Sequence, residues 1–153
     1  MAVLNPRMSV AGFTTQLCTW SDSELPLRDI RTRVFIQEQN VPEDLEWDGE
    51  DAQATHALVL DQDGRPIGAA RLLIHDRLAH IGRMAVLPEW RGRGVGKALL
   101  QCLLTAARAR SAQSVFLNAQ TTAVAFYARA GFVVEGAEFL DAGIPHLRMT
   151  RVL

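Results

Sequence analysis

The sequence is poor in the residues that mark several protein classes. It has two cysteines, Cys18 and Cys102, one tyrosine, Tyr127, and one lysine, Lys97. Two cysteines are too few for a disulfide framework, and no zinc-like His/Cys spacing accompanies them. They read as small buried hydrophobes, and no metal is expected. No apolar run approaches the length that spans a bilayer, so no membrane partner is expected. Residues Met1 to Met8 lack a charged segment followed by an apolar one. No secretory leader is therefore expected, a reducing cytoplasm is the expected compartment, and Met8 stands as an alternative start. The excess of one charge sign is also missing, since the formal net charge is -1. This argues against a generally basic nucleic-acid binder.

What is present is an ordinary globular composition: 153 residues, 48% apolar and 22% charged. That length suits one domain, 1–153, with a real core. The small net charge hides two clusters. Seven acidic residues lie from Glu38 to Asp51, and no Lys or Arg lies between Arg33 and Arg65. From Arg83 to Arg110 six basic residues face only Glu89. A solvated face is the ordinary reading of each cluster. Two opposite clusters in a small enzyme also suit two different ligands.

Alternation predicts a strand over Thr14–Trp20. Ser21, Asp22 and Ser23 offer caps for a helix in which Leu27, Ile30, Val34 and Phe35 recur, running to about Gln39. Pro42 ends it, and the acidic stretch to Asp51 reads as a loop. Strands follow over Ala54–Asp61, Ile67–Ile74 and Leu78–Leu87, the first two joined by the turn Asp61-Gln62-Asp63-Gly64. Val95, Leu99, Cys102, Leu103 and Ala106 form one stripe of a helix from Gly94 to about Arg110. Ser114–Leu117 is a strand, Thr121–Ala130 a helix stopped by Gly131, and Phe132–Phe139 and His146–Val152 are strands. The unit from Ile81 through Leu117 has the shape of a β-α-β crossover, hence a parallel pair. The fold class is α/β, a mixed sheet with helices on its faces.

The most informative segment is Arg91-Gly92-Arg93-Gly94-Val95-Gly96-Lys97, between a strand and a helix. Glycines let the backbone turn and approach a ligand, and free N–H groups at a helix start favour an anion. Arg91, Arg93 and Lys97 add charge, and arginine grips phosphate through two parallel hydrogen bonds. A Walker loop fails here, because Arg91 stands where its first Gly belongs and Ala98 where its Ser or Thr belongs. The spacing Gly92-x-Gly94-x-Gly96 is not a dinucleotide fingerprint either. The segment reads as a pyrophosphate site.

Arg91-x-x-Gly94-x-Gly96, preceded by Val86-Leu87-Pro88-Glu89-Trp90, resembles the acetyl-CoA motif of the GNAT family of N-acetyltransferases. Ala125-Phe126-Tyr127 with Gly131-Phe132 resembles a later segment of that family. Nearly the whole chain is similar to its small bacterial ElaA-like and YjcF-like branch. The residues that carry this are Arg33-Val34-Phe35, Glu38-Gln39, Val41-Pro42, Glu46, Asp48, Asp51, His56, Asn118-Ala119-Gln120, Phe139 to His146, and Met149. The chain has Asn118 and Asp141 where branch members often have His and Glu.

The resemblance implies a single acyl-CoA N-acyltransferase domain with a splayed parallel strand pair. It implies direct acetyl transfer from acetyl-CoA to a primary amine on a small molecule or protein. It places the CoA pyrophosphate on Arg91 to Lys97, the pantetheine arm along Met84, Ala85 and Val86, and Asn118 beside the cofactor. Tyr127 matches the family's proton donor to the leaving thiolate. The strand Leu78–Val86 carries no carboxylate, so the base comes from elsewhere or water relays the proton: Glu38, Asp48, His56 and His146 are candidates, with Glu38 and His146 assigned to catalysis. Gln39, Asp48, His56 and Gln120 are assigned to the acceptor, and the acidic loop suits a cationic one. The resemblance allows a homodimer. A second reading is a non-catalytic acyl-CoA sensor, which would keep Arg91 to Gly96 and tolerate loss of Tyr127.

Overall fold

The computed structural model describes residues 12–153. The expectations for Met1 to Met8 lie outside them. Eight strands form one mixed sheet: β1 (Phe13–Thr19), β2 (Thr55–Asp61), β3 (Pro66–His75), β4 (Leu78–Val86), β5 (Ser114–Gln120), β6 (Val133–Val134), β7 (Phe139–Asp141) and β8 (Ile144–Val152). The order is β1-β2-β3-β4-β5-β8-β6, with β7 also on β8. All pairs are antiparallel except β4 with β5. The helices are α1 (Trp20–Arg31), α2 (Glu43–Glu46), α3 (Val95–Ala109) and α4 (Val124–Arg129). The meander, the β4-α3-β5 crossover and the fold class agree with the sequence reading. Among the described residues no helix is long and apolar enough to cross a membrane.

Four local expectations need correction. The first helix starts at Trp20, capped by the Thr19 hydroxyl on the Asp22 N–H at 3.2 Å, and Ser23 interrupts it with non-helical backbone. The helix does run on to Glu38, but Thr32–Glu38 is wound as a π-helix. Its wider turn is a departure that apolar spacing does not reveal. The acidic stretch is not a bare loop, since it holds α2 and a 3₁₀ turn, Asp51–Gln53. Phe132–Phe139 is not one strand but breaks into β6 and the start of β7, with Gly136 at φ +87° between them.

Two features of β4 create room for a ligand. It pairs with β5 only from Leu78–Ser114 to His80–Phe116, after which the strands part. It also carries a bulge: Ala69 faces Ala85, but Arg71 faces Gly82, so β4 has one extra residue. Arg83 takes up that residue with φ +53°, a left-handed conformation rare outside glycine.

α3 fixes the other wall. Val95, Leu99, Leu100, Leu103, Leu104, Ala106 and Ala107 are buried on its inner face. Close approach to the sheet depends on Gly68 of β3, where a Cβ would lie 2.8 Å from Val95 Cγ1 and 3.2 Å from Leu99 Cδ1. Gly68→Val should therefore push α3 outward and cost about 1–3 kcal/mol of stability. Denaturant unfolding should show a lower midpoint at unchanged slope. An unchanged midpoint would mean that α3 is not seated this closely.

Candidate active site

Where β4 and β5 separate, a cleft of about 890 Å³ opens. It is lined by Ile81 to Val86 of β4, by Leu117, Asn118 and Gln120 of β5, and by the turn before α3. Because β4 and β5 are unpaired beyond His80, the facing edge of β4 offers free backbone groups to a ligand with peptide-like amides.

The turn behaves as its glycines require. Gly92 and Gly94 have φ +73° and +90°, and Gly94 caps α3 in the left-handed region. Ala98 makes the first intrahelical bond, to the Gly94 carbonyl, so the N–H groups of Val95, Gly96 and Lys97 lie outside the helix ladder. Lys97, Arg91, Gly92, Gly94 and Gly96 line the cleft, whereas Val95 is packed in the core. Arg93 does not line it. Its guanidinium lies over the Trp90 ring at 4.0 Å and donates to the Glu89 carbonyl. Arg91 donates from Nε to the Val86 carbonyl at 3.0 Å and grips Glu38 with both terminal nitrogens, at 2.8 and 2.7 Å.

Tyr127 lines the cleft with 7% of its surface exposed. Edge contacts with Phe126 and Phe132, at centroid distances of 5.0 and 6.1 Å, fix its ring. Burial pushes its phenol up to about 12, so it holds its proton at neutral pH. His146 also lines the cleft, stacked on Phe139. Its Nδ1 lies 2.7 Å from the Ile144 carbonyl, which can only accept. Nδ1 therefore carries a proton, and in the neutral ring Nε2 keeps the lone pair.

Gln39 and Gln120, remote in sequence, meet in the cleft through a 2.9 Å bond from Gln120 Nε2 to Gln39 Oε1. Asp48, Met84, Ala85, Val86 and Asn118 also line it. Glu38 is outside the lining but touches it through Arg91. His56 is set apart: it is 1% exposed, with Nε2 3.0 Å from the Asp51 carbonyl and its ring against Trp20. Its side chain anchors the acidic loop from behind.

The larger surprise is the fate of the acidic cluster. Arg31, 1% exposed, reaches Glu46 at 2.7 Å and Asp51 at 2.6 Å. Arg71 holds Asp48 with two bonds, 2.9 and 2.8 Å, and reaches Asp51 at 3.2 Å. Arg83 lies 3.2 Å from both Glu46 and Asp48 and donates to the Leu45 and Glu46 carbonyls. Trp47 covers the Arg31 guanidinium at 4.9 Å. Three guanidiniums thus neutralise three of the carboxylates read as a solvated or acceptor-facing cluster. Sequence reading placed Arg83 in the cationic cluster and passed over Arg31 and Arg71. One signal was available, because Arg71 stands alone inside an apolar strand, and a buried charge needs a partner.

The comparisons agree with this geometry. The acetyltransferase (GNAT) domain model matches residues 16–153. The chain belongs to the GNAT acetyltransferase family. It is 42% identical over 123 residues to a Bacillus subtilis protein described as an uncharacterized N-acetyltransferase, YjcF, covering 80% of this chain and 87% of that one. It superimposes on an acyl-CoA N-acyltransferase from Pseudomonas aeruginosa with TM-score 0.81 and 32% identity, over 91% of this chain and 99% of that one. Escherichia coli ElaA gives TM-score 0.81 and 29% identity over the same shares. This GNAT protein is therefore an acyl-CoA-dependent N-acyltransferase that uses an amine acceptor, and it has the acyl-CoA N-acyltransferase fold.

Acid should loosen the loop that carries Asp48. Burial alone would raise the Asp48 carboxyl, but hydrogen bonds from Arg71 and the Glu50 N–H, with the charges of Arg71 and Arg83, hold it at about 2. The unfolded value is the higher one, so this stabilisation is complete above about pH 4 and is lost as pH falls towards 2. Asp51 is lowered in the same direction despite burial, by Arg31 and Arg71. Unfolding free energy measured from pH 5 to 2 should drop in that window, with a shallower drop in Asp48→Asn. Equal slopes in the two proteins would contradict the assignment.

Proposed function

We propose that the protein transfers an acetyl group directly from acetyl-CoA to a primary amine of a small molecule or protein. The observation that carries this is the joining of two features in one cleft. The cationic turn at α3 and the unpaired edge of β4 line the same cleft as Tyr127 and His146. In this reading the pyrophosphate lies on the N–H groups around Gly94 to Lys97, and the pantetheine arm pairs with Met84 to Val86. Asn118 stands across the cleft on β5.

The amine nitrogen attacks the thioester carbonyl, and the tetrahedral intermediate collapses with cleavage of the C–S bond. Tyr127 gives its proton to the leaving thiolate, a role that suits a phenol held protonated. The proton shed by the nitrogen goes to His146 Nε2, the lone-pair side of the ring. Gln39 and Gln120, with Asp48 beyond them, bound the acceptor. No covalent enzyme intermediate is needed. Where the protein works, including the cytoplasm proposed from its sequence, does not bear on these steps.

Acetyl-CoA should be consumed with one or more amines in a mixed panel, read as thiol release and as acetylated product by mass. Tyr127→Phe should lower kcat by about 100-fold and leave the acetyl-CoA KM within a few-fold, because only the proton is removed. Full turnover in that variant would assign Tyr127 to packing.

A further inference from the structure

Arg91 belongs to the phosphate turn, yet another partner occupies it. Its two terminal nitrogens form the fork that grips an anion, and both are on the Glu38 carboxylate, at 2.8 and 2.7 Å. Its Nε takes the Val86 carbonyl at 3.0 Å, on the strand proposed to pair with pantetheine. The remaining two N–H bonds point away from each other and form no fork. A pyrophosphate cannot receive the paired donors of Arg91 while Glu38 holds them, and the Glu38 charge repels it. Glu38 comes from the end of the π-helical turn, next to Gln39, which lines the cleft. The Glu46 and Asp48 carboxylates in the same cleft are already neutralised by Arg31, Arg71 and Arg83.

From this geometry we infer that Glu38 is a positioning residue that competes with the CoA pyrophosphate for Arg91. Binding of the cofactor transfers the guanidinium from carboxylate to phosphate and bares the Glu38 carboxylate beside the acceptor side of the cleft. Cofactor binding thus adds a negative charge for an incoming ammonium to that of Asp141, which also lines the cleft, because the fixed carboxylates of α2 and its loop are held by arginines. The inference rests on the placement of CoA proposed above. It also explains how the chain can carry Glu38 and a cationic turn together: each masks the other until the cofactor arrives. Arg91 is held above the ordinary arginine value by this same carboxylate, and Glu38 is lowered by Arg91, consistent with a closed pair.

Calorimetric binding of CoA and of pantetheine, which lacks the pyrophosphate, tests it. The four proteins are wild type, Glu38→Gln, Arg91→Gln and the double variant. Both side chains are about 40% exposed, so the substitutions leave the fold intact. Glu38→Gln should bind CoA about two- to fivefold tighter, the scale of an exposed ion pair, and pantetheine no differently. The tightening should vanish in the Arg91→Gln background. A structural defect does not tighten a ligand, so the sign is diagnostic. Unchanged or weaker CoA binding by Glu38→Gln overturns the competition, as does equal tightening without Arg91 or with pantetheine. Failure of wild type to bind CoA would instead overturn the proposed function on which it rests.

Discussion

The β4–β5 pairing stops at His80, and the rest of the site follows from that break. Parallel strands that stayed paired would fill their own hydrogen bonds and leave no opening. Here β5 is paired with β8 along its whole other edge, from Ser114–Val152 to Gln120–His146, while its β4 edge is left open after Phe116. β4 keeps β3 on its other side and bulges at Arg83. The parting is not left to chance. Arg83, on the bulge, and Arg71, opposite it on β3, both reach Asp48 in the loop after α2. The ion-pair network therefore ties α2 and the loop after it to β3 and β4.

This changes the meaning of a near-neutral chain. Two clusters of opposite charge suggested two ligands, one for each. The fold instead pairs three of the seven acidic residues, Glu46, Asp48 and Asp51, with its own arginines. Breaking such a buried pair by removing one partner typically costs about 3–5 kcal/mol, because the other charge is stranded. Arg31, with Glu46 and Asp51 around it, fits that case. In the proposed complex the turn offers its backbone donors and Lys97 to the pyrophosphate, while Arg91 is bonded to Glu38 in the structure itself.

The parts legible in the sequence were those with a short-range signal. Glycine spacing located the turn, apolar periodicity located α3, and the crossover gave the parallel pair. Asp61 and Gly64 gave the β2–β3 turn, where the Asp61 carboxylate accepts from the Asp63 and Arg65 N–H groups. The illegible parts were set by partners far away in the chain. A π-wound turn keeps the same apolar residues as an α-helix. Arg71 and Asp48 are 23 residues apart, and Arg91 and Glu38 are 53 apart. His56 shares the branch motif with true cleft residues, yet its ring faces the Asp51 carbonyl behind the loop. A motif marks residues that matter together, and it does not separate those that touch a ligand from those that hold the ones that do.

The central claim is that acyl-CoA lies in the gap between β4 and β5 with its pyrophosphate on the start of α3. Amide hydrogen exchange with and without CoA reads both places at once. The account predicts slower exchange at Met84 to Val86 and at Val95 to Lys97 when CoA is present, with little change in β1 and β2. Protection elsewhere, with these two segments unaffected by saturating CoA, would contradict it.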